Sequence, residues 1–422
     1  MAKIGVVGIG YVGLTTATCF AKMKHDVVAF DVDHDKVANL KQNKSPIFEP
    51  QIEELVTTLQ KTNLHFTNNV YELNECEYVF LCVPTPQDED GAADLSYILN
   101  ATETIKNVMS KNSILVTKST VPVNSWKLIA RKLNRNDVAI VSNPEFLREG
   151  SAVEDFFNPD RIVIGAEDKN KAIKVSELYE DLNKTMIITD NTSAELIKYA
   201  SNTFLAMKLS FVNEIAALCE NLDANIYEVL LGLGKDDRIG KKFLEPGPGW
   251  GGSCFPKDVK ALSSIAEDNK VQLTLIKAIY ESNLKTIKRI VDRIERELGG
   301  NLVGKNISVL GLTFKANTDD LRESPAVEVA NRLIDRGAKL KAYDPVIKKN
   351  SLGNIQIKVS LEDCLKEADI IVVLTEWKNF SEIDVSLVSK IVRNRIVFDT
   401  RNVLNKNNWI REKFKLIEIG RH

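Results

Sequence analysis

The stretch Lys3-Ile-Gly-Val-Val-Gly8-Ile-Gly10-Tyr11-Val12-Gly13 decides the fold. It opens as a short apolar run and leads directly into Leu14-Thr-Thr-Ala-Thr-Cys-Phe-Ala21, which has helical spacing. A G-x-G-x-x-G hexamer alone is weak evidence. Here it stands between a strand and a helix, and the next apolar run, Asp26-Val-Val-Ala-Phe30, ends in Asp31. Together these features mark a dinucleotide-binding βαβ unit. Gly8 makes the tight turn, Gly10 admits a pyrophosphate, and Gly13 lets helix and strand pack, with the helix N-terminus facing the phosphates. Asp31 is placed for the adenosine ribose and repels a 2′-phosphate, so NAD is expected rather than NADP. Lys36 is a candidate second ribose or phosphate contact, although most lysines at such positions are simply solvated.

Further apolar runs follow in βα alternation: Tyr78–Val83, Ser113–Thr117, Val138–Ser142, Arg161–Gly165 and Met186–Thr189. Such continuous runs suit a parallel sheet buried on both faces. Three loops fall where those strands end, and ligands bind at the carboxyl ends of strands in open α/β sheets. They are Val83-Pro-Thr85-Pro, Lys118-Ser119-Thr120-Val-Pro, and Asn143-Pro-Glu145-Phe146-Leu147-Arg-Glu149-Gly150. Each sets hydroxyls or carboxylates beside prolines that stiffen the loop.

From Ser193 to Asn221 the chain has helical periodicity with little Gly or Pro, and Ser193 is the expected start of a long central helix. Lys198 and Asn202 are four apart and share a face. Downstream lies Gly247-Pro-Gly249-Trp-Gly-Gly-Ser-Cys254-Phe-Pro-Lys257-Asp258. Glycines and prolines around one cysteine bend the backbone into a shape that side chains would obstruct, and a ligand could approach it closely. A helix starting near Pro256 would bring Lys257 and Asp258 close to the thiol. From this segment alone, a presented nucleophile and a Gly-rich turn with a structural cysteine are equally compatible. Beyond Gly299-Gly300, Asn306–Gly311 begins a second βα pattern in which Gly311-Leu-Thr-Phe314-Lys315 replaces the fingerprint. Lys315, Arg322 and Arg401 put cations at its strand ends, which suits phosphates, while surface ion pairing is the plainer reading of each.

The chain has 422 residues, enough for two or three cores, with 56 basic and 58 acidic side chains and a net charge of -2. That balance gives no reason to expect nucleic acid or a membrane surface as partner. Six cysteines without a CxxC pair and four histidines offer little for a metal cluster and fit a reducing cytoplasm. The N-terminus runs straight into a strand, so a secretory leader is not expected.

In order along residues 3 to about 405, GxGxxG, PTP, KSTVP, NPEFLREG, NPDR, ELIKYASN, GPGWGGSCFPKD, GLTFK, RESP and DTRN resemble the UDP-glucose/GDP-mannose dehydrogenase family. The resemblance implies an α/β fold: two Rossmann-like doubly wound domains joined by a long central helix and an all-helical middle domain. It implies an NAD-binding domain over residues 1–195, a helical dimerisation domain carrying the cysteine loop over 196–298, and a UDP-binding domain over 299–422. The implied reaction is twofold NAD-dependent oxidation of a C6 alcohol, with UDP-glucose as substrate and UDP-glucuronate, a precursor of surface polysaccharides such as capsule, as product. A cytoplasmic homodimer is implied.

Residue by residue, the resemblance makes Cys254 the nucleophile and gives Lys198 and Asn202 the C6 oxygen. Asp258 and Thr120 hold the catalytic water, and Glu145 acts as base near the thioester. Gly8, Gly10, Tyr11, Val12, Gly13, Asp31, Lys36, Thr85, Ser119, Thr120, Glu149 and Lys257 form the implied NAD shell. The sugar nucleotide falls to Glu145, Phe146, Leu147, Glu149, Lys198 and Asn202, together with Phe243, Leu244, Gly249, Phe314, Lys315 and Arg401. Arg238 is implied to reach across from a second subunit. Glu245 departs from the lysine of animal members, which puts one phosphate contact in doubt. A dehydrogenase of UDP-N-acetylhexosamines shares the fold, cysteine and stoichiometry and is the competing enzyme. A single-oxidation hydroxyacid dehydrogenase would need no thiol.

Overall fold

Lys3–Val7 forms β1 because four of its five residues are buried, as a central parallel strand requires. In the computed structural model, which describes residues 1–87 and 93–421, the chain divides into two units. The first comprises Met1–Ser201 and Lys260–Lys270, and the second Asn202–Val259 and Val271–His422.

The first unit holds β1, β2 (Asp26–Phe30), β3 (Leu64–Thr67), β4 (Tyr78–Leu81), β5 (Ile114–Thr117), β6 (Ala139–Ser142), β7 (Ile162–Ala166) and β8 (Met186–Thr189). They run in the order β3-β2-β1-β4-β5-β6-β7-β8. The order reverses between β1 and β4, where doubly wound sheets bind ligands. The expectation of an all-parallel sheet needs correction, since β6 pairs with β7 antiparallel while β7 and β8 are parallel to each other. Strand β3 was not anticipated; its Leu-His-Phe-Thr exposes His65 and reads as neither a continuous nor a strongly alternating run.

The second sheet comprises β9 (Asn306–Leu310), β10 (Lys339–Tyr343), β11 (Ser351–Leu352), β12 (Ile355–Ile357), β13 (Ile370–Val373), β14 (Ile396–Asp399) and β15 (Lys415–Glu418). Its order is β11-β12-β10-β9-β13-β14-β15. Without the short antiparallel β11, it repeats the succession of the first six strands of the other sheet. The repetition extends to the turns. Gly8 N–H donates to Phe30 O and Gly311 N–H to Tyr343 O, both at 2.8 Å. Asp31 then accepts from Ile9 N–H at 2.7 Å, as Asp344 accepts from Leu312 N–H at 2.8 Å.

Between β8 and β9 along the chain come helices Asn191–Leu222, Ile226–Gly234, Phe255–Asp268 and Thr274–Glu297. The long helix starts at Asn191, so Ser193 is not its cap. Asp190 holds that place, with its carboxylate accepting from Ser193 N–H at 2.8 Å and from Ser193 Oγ at 2.7 Å. A carboxylate meets the first-turn amides as well as a serine does and adds charge favourable to the helix N-terminus.

Candidate active site

The fingerprint turn has the shape a dinucleotide needs. Gly8 adopts φ +90°, which L side chains rarely do. A Cβ on Gly13 would stand 1.8 Å from Gly8 O, so the helix can lie this close only without one, whereas a Cβ on Gly10 would meet nothing within 4 Å. Open space thus remains beside Gly10, at the N-terminus of helix Tyr11–Lys22, where a pyrophosphate would sit. Asp31 is buried, and Lys36 Nζ approaches its Oδ2 at 2.8 Å. Lys36 is therefore an ion-pair partner of Asp31 rather than a simply solvated lysine. Thr85 Oγ1 donates to Thr120 O at 2.7 Å and Ser119 Oγ to Val83 O at 2.7 Å, which joins two of the strand-end loops.

The Asn143–Gly150 loop brings Glu145 to the long helix, with Lys198 Nζ 3.5 Å from Glu145 Oε1 and both side chains buried. A buried pair of this kind is weak evidence of stability but a means of holding a charge ready. Glu145 also accepts from Leu147 N–H. Phe146 lies under two cations, with the Arg161 guanidinium 3.7 Å and Lys198 Nζ 5.2 Å from its ring. Lys118, named in the sequence only as part of its motif, is a further buried cation. Its Nζ donates to Asn143 Oδ1 at 3.2 Å, and desolvation lowers its pKa. Glu195 appears among the sequence motifs only as the first residue of ELIKYASN, with no role assigned to it. It accepts from Asn124 N–H at 2.6 Å and Trp126 N–H at 3.0 Å, thereby fixing the loop after Thr120 to the turn that carries Lys198. Ser119, Thr120, Glu195 and Lys198 line one small cavity. A glutamate N-terminal to a buried lysine on one helix carries no distinctive spacing, so nothing set Glu195 apart within its motif.

In the second unit, Cys254 immediately precedes helix Phe255–Asp268, with its Sγ 3.5 Å from Ser253 Oγ. Asp258 N–H donates to Cys254 O at 2.9 Å, so helical bonding starts at the cysteine. Asp258 is buried, receives a 2.6 Å hydrogen bond from Asn202 Nδ2, and has Lys257 Nζ 3.8 Å from its Oδ1. Asn202 is thus not a solvated helix-surface residue. The loop before the cysteine is held by three polar anchors that sequence reasoning missed. Asn213 accepts from Gly247 N–H at 2.9 Å, Ser210 accepts from Trp250 Nε1 at 2.8 Å, and Asn283 exchanges two 2.9 Å bonds with the Trp250 backbone.

Gly249, Gly251 and Gly252 of this loop have protein where a Cβ would stand. A Cβ on Gly251 would stand 1.9 Å from Glu323 O, and one on Gly252, whose φ is +83°, would stand 2.9 Å from the Phe314 ring. They let the cysteine loop lie against the backbone of Glu323 and the face of Phe314. Gly249 similarly approaches Asn283. Phe243, at φ 61°, packs its ring 6.3 Å from Phe255, and Leu244 is buried. Lys315 Nζ lies 5.6 Å from the Phe314 ring. Arg401 donates to Leu374 O and Phe314 O and pairs with Glu376 at 3.1 Å, while Arg322 pairs with Asp320 at 2.8 Å. Arg238 is exposed and pairs with Asp236 at 2.6 Å. Tyr11, Val12, Leu147 and Glu149 are partly buried. Among the described residues no group of His, Cys, Asp and Glu could hold a metal, and no helix is long and apolar enough to cross a membrane.

Models of three domains match in register: the NAD-binding domain of the UDP-glucose/GDP-mannose dehydrogenase family over residues 2–183, its central domain over 192–285 and its UDP-binding domain over 308–406. The chain belongs to the UDP-glucose/GDP-mannose dehydrogenase family. As a member of that family it is an oxidoreductase and uses NAD, which the open fingerprint turn fits. A UDP-glucose 6-dehydrogenase of Rickettsia felis is 40% identical over 431 residues, covering 99% of this chain and 96% of its own. The solved structure of a UDP-glucose dehydrogenase from Pyrobaculum islandicum matches with TM-score 0.89 at 35% identity, over 100% of this chain and 98% of that one. A UDP-D-ManNAc dehydrogenase from Pyrococcus horikoshii matches with TM-score 0.87 at 27% identity, over 99% of each chain.

Proposed function

We propose that this chain oxidises the C6 alcohol of UDP-glucose to the carboxylate of UDP-glucuronate, through a thiohemiacetal and then a thioester on Cys254. The observation that carries the reading is a contrast among the six cysteines. Cys254 alone is not buried. Burial pushes the thiols of Cys19, Cys76, Cys82 and Cys364 up to about 12, which makes them inert. Cys254 stands instead at the start of a 14-residue helix, whose amides favour a thiolate.

NAD supplies the hydride acceptor for both oxidations. In the first, the C6 hydroxyl proton passes to the water network of Asp258 and Thr120, while Lys198 and Asn202, one turn apart on the long helix, stabilise negative charge on the oxygen. The Cys254 sulfur then bonds to the aldehyde carbon and the carbonyl oxygen takes up a proton. Loss of the second hydride and of that proton leaves a thioester. Water, deprotonated by Glu145 or Asp258, adds to it, the carbon–sulfur bond breaks, and the thiol is regenerated beside a carboxylate. Phe146, Leu147, Glu149, Phe243, Leu244, Gly249, Phe314, Lys315 and Arg401 serve the sugar nucleotide, and Glu149 and Lys257 also serve the cofactor.

The division into residues 1–195, 196–298 and 299–422 assigns NAD, dimerisation and UDP binding in that order. A cytoplasmic homodimer, in which Arg238 enters the other subunit's site, has support in the long helix. Phe204, Phe211 and Leu218 recur every seven residues and are each half or more exposed. The deciding experiment counts NADH against UDP-glucose consumed. Two per sugar are expected, and one per sugar would refute the four-electron reading. The likeness to the UDP-D-ManNAc enzyme makes UDP-N-acetylhexosamines the necessary comparison, and faster turnover with them would reassign the substrate.

A further inference from the structure

The loop between helices His34–Lys41 and Ile52–Leu59 carries an acid that the reaction does not use. Glu49 is 8% exposed, and among the described residues no lysine or arginine pairs with it. Three donors hold it instead. Its Oε2 accepts from Gly150 N–H at 2.6 Å and from the Tyr11 hydroxyl, and its Oε1 accepts from Ala152 N–H at 2.8 Å. Gly150 N–H also lies 2.9 Å from the Tyr11 oxygen. Burial and the adjacent carboxylate raise the Tyr11 pKa far above its ordinary value, so the phenol keeps its proton and donates.

The three donors come from two separate parts of the site. Tyr11 is the first residue of the fingerprint helix, whose N-terminal amides would face a bound pyrophosphate. Gly150 and Ala152 end the loop that starts at Glu145. That loop is held at its other end by the Lys198–Glu145 contact, so Glu49 fixes its free end. A helix cap would need only the two amides; the hydroxyl is what adds the cofactor helix. We propose that Glu49 is a positioning residue whose carboxylate joins Tyr11 to Gly150 and Ala152, coupling dinucleotide binding to the placement of the Glu145–Glu149 segment. The proposal rests on the assignment of Glu145 to the reaction only in its kinetic arm below.

Glutamine at this position keeps the shape but turns one acceptor into a donor that faces another donor, which leaves a buried N–H unpaired. Tyr11→Phe deletes only the hydroxyl. Hydrogen–deuterium exchange on the full chain, with and without saturating NAD, reads the coupling directly. In the unaltered protein NAD is expected to slow exchange in peptides covering residues 147–152 by about fivefold, the low end of ordinary couplings between sites. Both Tyr11→Phe and Glu49→Gln should abolish that slowing while binding NAD up to about fivefold more weakly, because a coupling acts equally in both directions. Retention of the slowing in Tyr11→Phe would overturn the proposal. In the kinetic arm, kcat at saturating NAD should fall about tenfold in Glu49→Gln, and the double variant should be no slower, because one link is cut twice. Independent, multiplying losses would overturn it. The exchange arm needs no sugar, so a wrong sugar assignment leaves it readable.

Discussion

Cys254→Ser is expected to stop the reaction at or before the aldehyde, with at most one NADH formed per sugar, because a serine hydroxyl does not sustain the thioester route at neutral pH. Cys364→Ser is the matched control. Cys364 is fully buried with its sulfur 3.7 Å from Val309 O, so the change leaves turnover intact. Equal losses of NADH formation in the two variants would remove Cys254 from the mechanism. The glycines permit a second comparison at this scale. Gly251→Ala sets a methyl against the Glu323 carbonyl and should destabilise the fold by roughly 1–3 kcal/mol, as overpacking does. Gly232→Ala meets nothing within 4 Å inside helix Ile226–Gly234 and should be neutral or stabilising by up to about 1 kcal/mol. Denaturant melts of both variants distinguish packing against protein from mere flexibility. The sequence showed that Cys254 sits in a glycine-rich bend but not what fills the bend. That knowledge needed Phe314 and Glu323, which lie some sixty and some seventy residues further along the chain.

The elements were legible where periodicity was strong and obscure where it was short. The fingerprint strand, the long helix and the buried strands β4 and β13 carry continuous apolar or helical patterns. By contrast, β11 and β12 span two and three residues, and β15 reads Lys-Leu-Ile-Glu; their pairing comes from neighbouring strands that local sequence does not encode. The polar anchors on the helices were obscure for a related reason. Asn213 and Ser210 on the long helix and Asn283 on Thr274–Glu297 look like interruptions of an apolar face until the loop they bind is in place. The opposite problem, apolar residues left outside, points to assembly. Phe204, at 58% exposure, and Phe211 and Leu218, at 50% each, form one stripe on the long helix, since seven residues advance it by nearly two turns. Phe211→Glu should therefore convert the proposed homodimer to monomer, losing on the order of 2 kcal/mol for each aromatic side chain uncovered. Sedimentation velocity across a concentration series checks this, and an unchanged sedimentation coefficient would count against a dimer built on this stripe.

For the whole molecule, the buried carboxyls set a dependence of stability on pH. Burial raises Glu195 from 4.5 to about 8, opposed by the amides of Trp126 and Asn124, and raises Asp399 from 3.8 to about 6, opposed by those of Leu404 and Arg401. A carboxyl whose folded pKa lies above its unfolded value holds a proton in the folded chain that the unfolded chain has released. Unfolding free energy must then fall with rising pH across that window, and these two groups add no slope above about pH 8. Asp399 acts between about pH 4 and 6 and Glu195 between about pH 4.5 and 8, the first in the second unit and the second in the first. Calorimetry from pH 5 to 9 should therefore show a declining Tm, by roughly 2–4 °C for each kcal/mol lost in units of this size. Glu195→Gln should lower stability throughout, because two backbone N–H groups each use one carboxyl oxygen and glutamine offers only one acceptor, yet flatten the decline between pH 6 and 8. Asp399→Asn should flatten only the part below pH 6. A Tm that rises from pH 5 to 8, or a Glu195→Gln variant with the original slope, would show that the Glu195 carboxyl is already ionised in the folded chain at neutral pH, stabilised by the helix amides it caps.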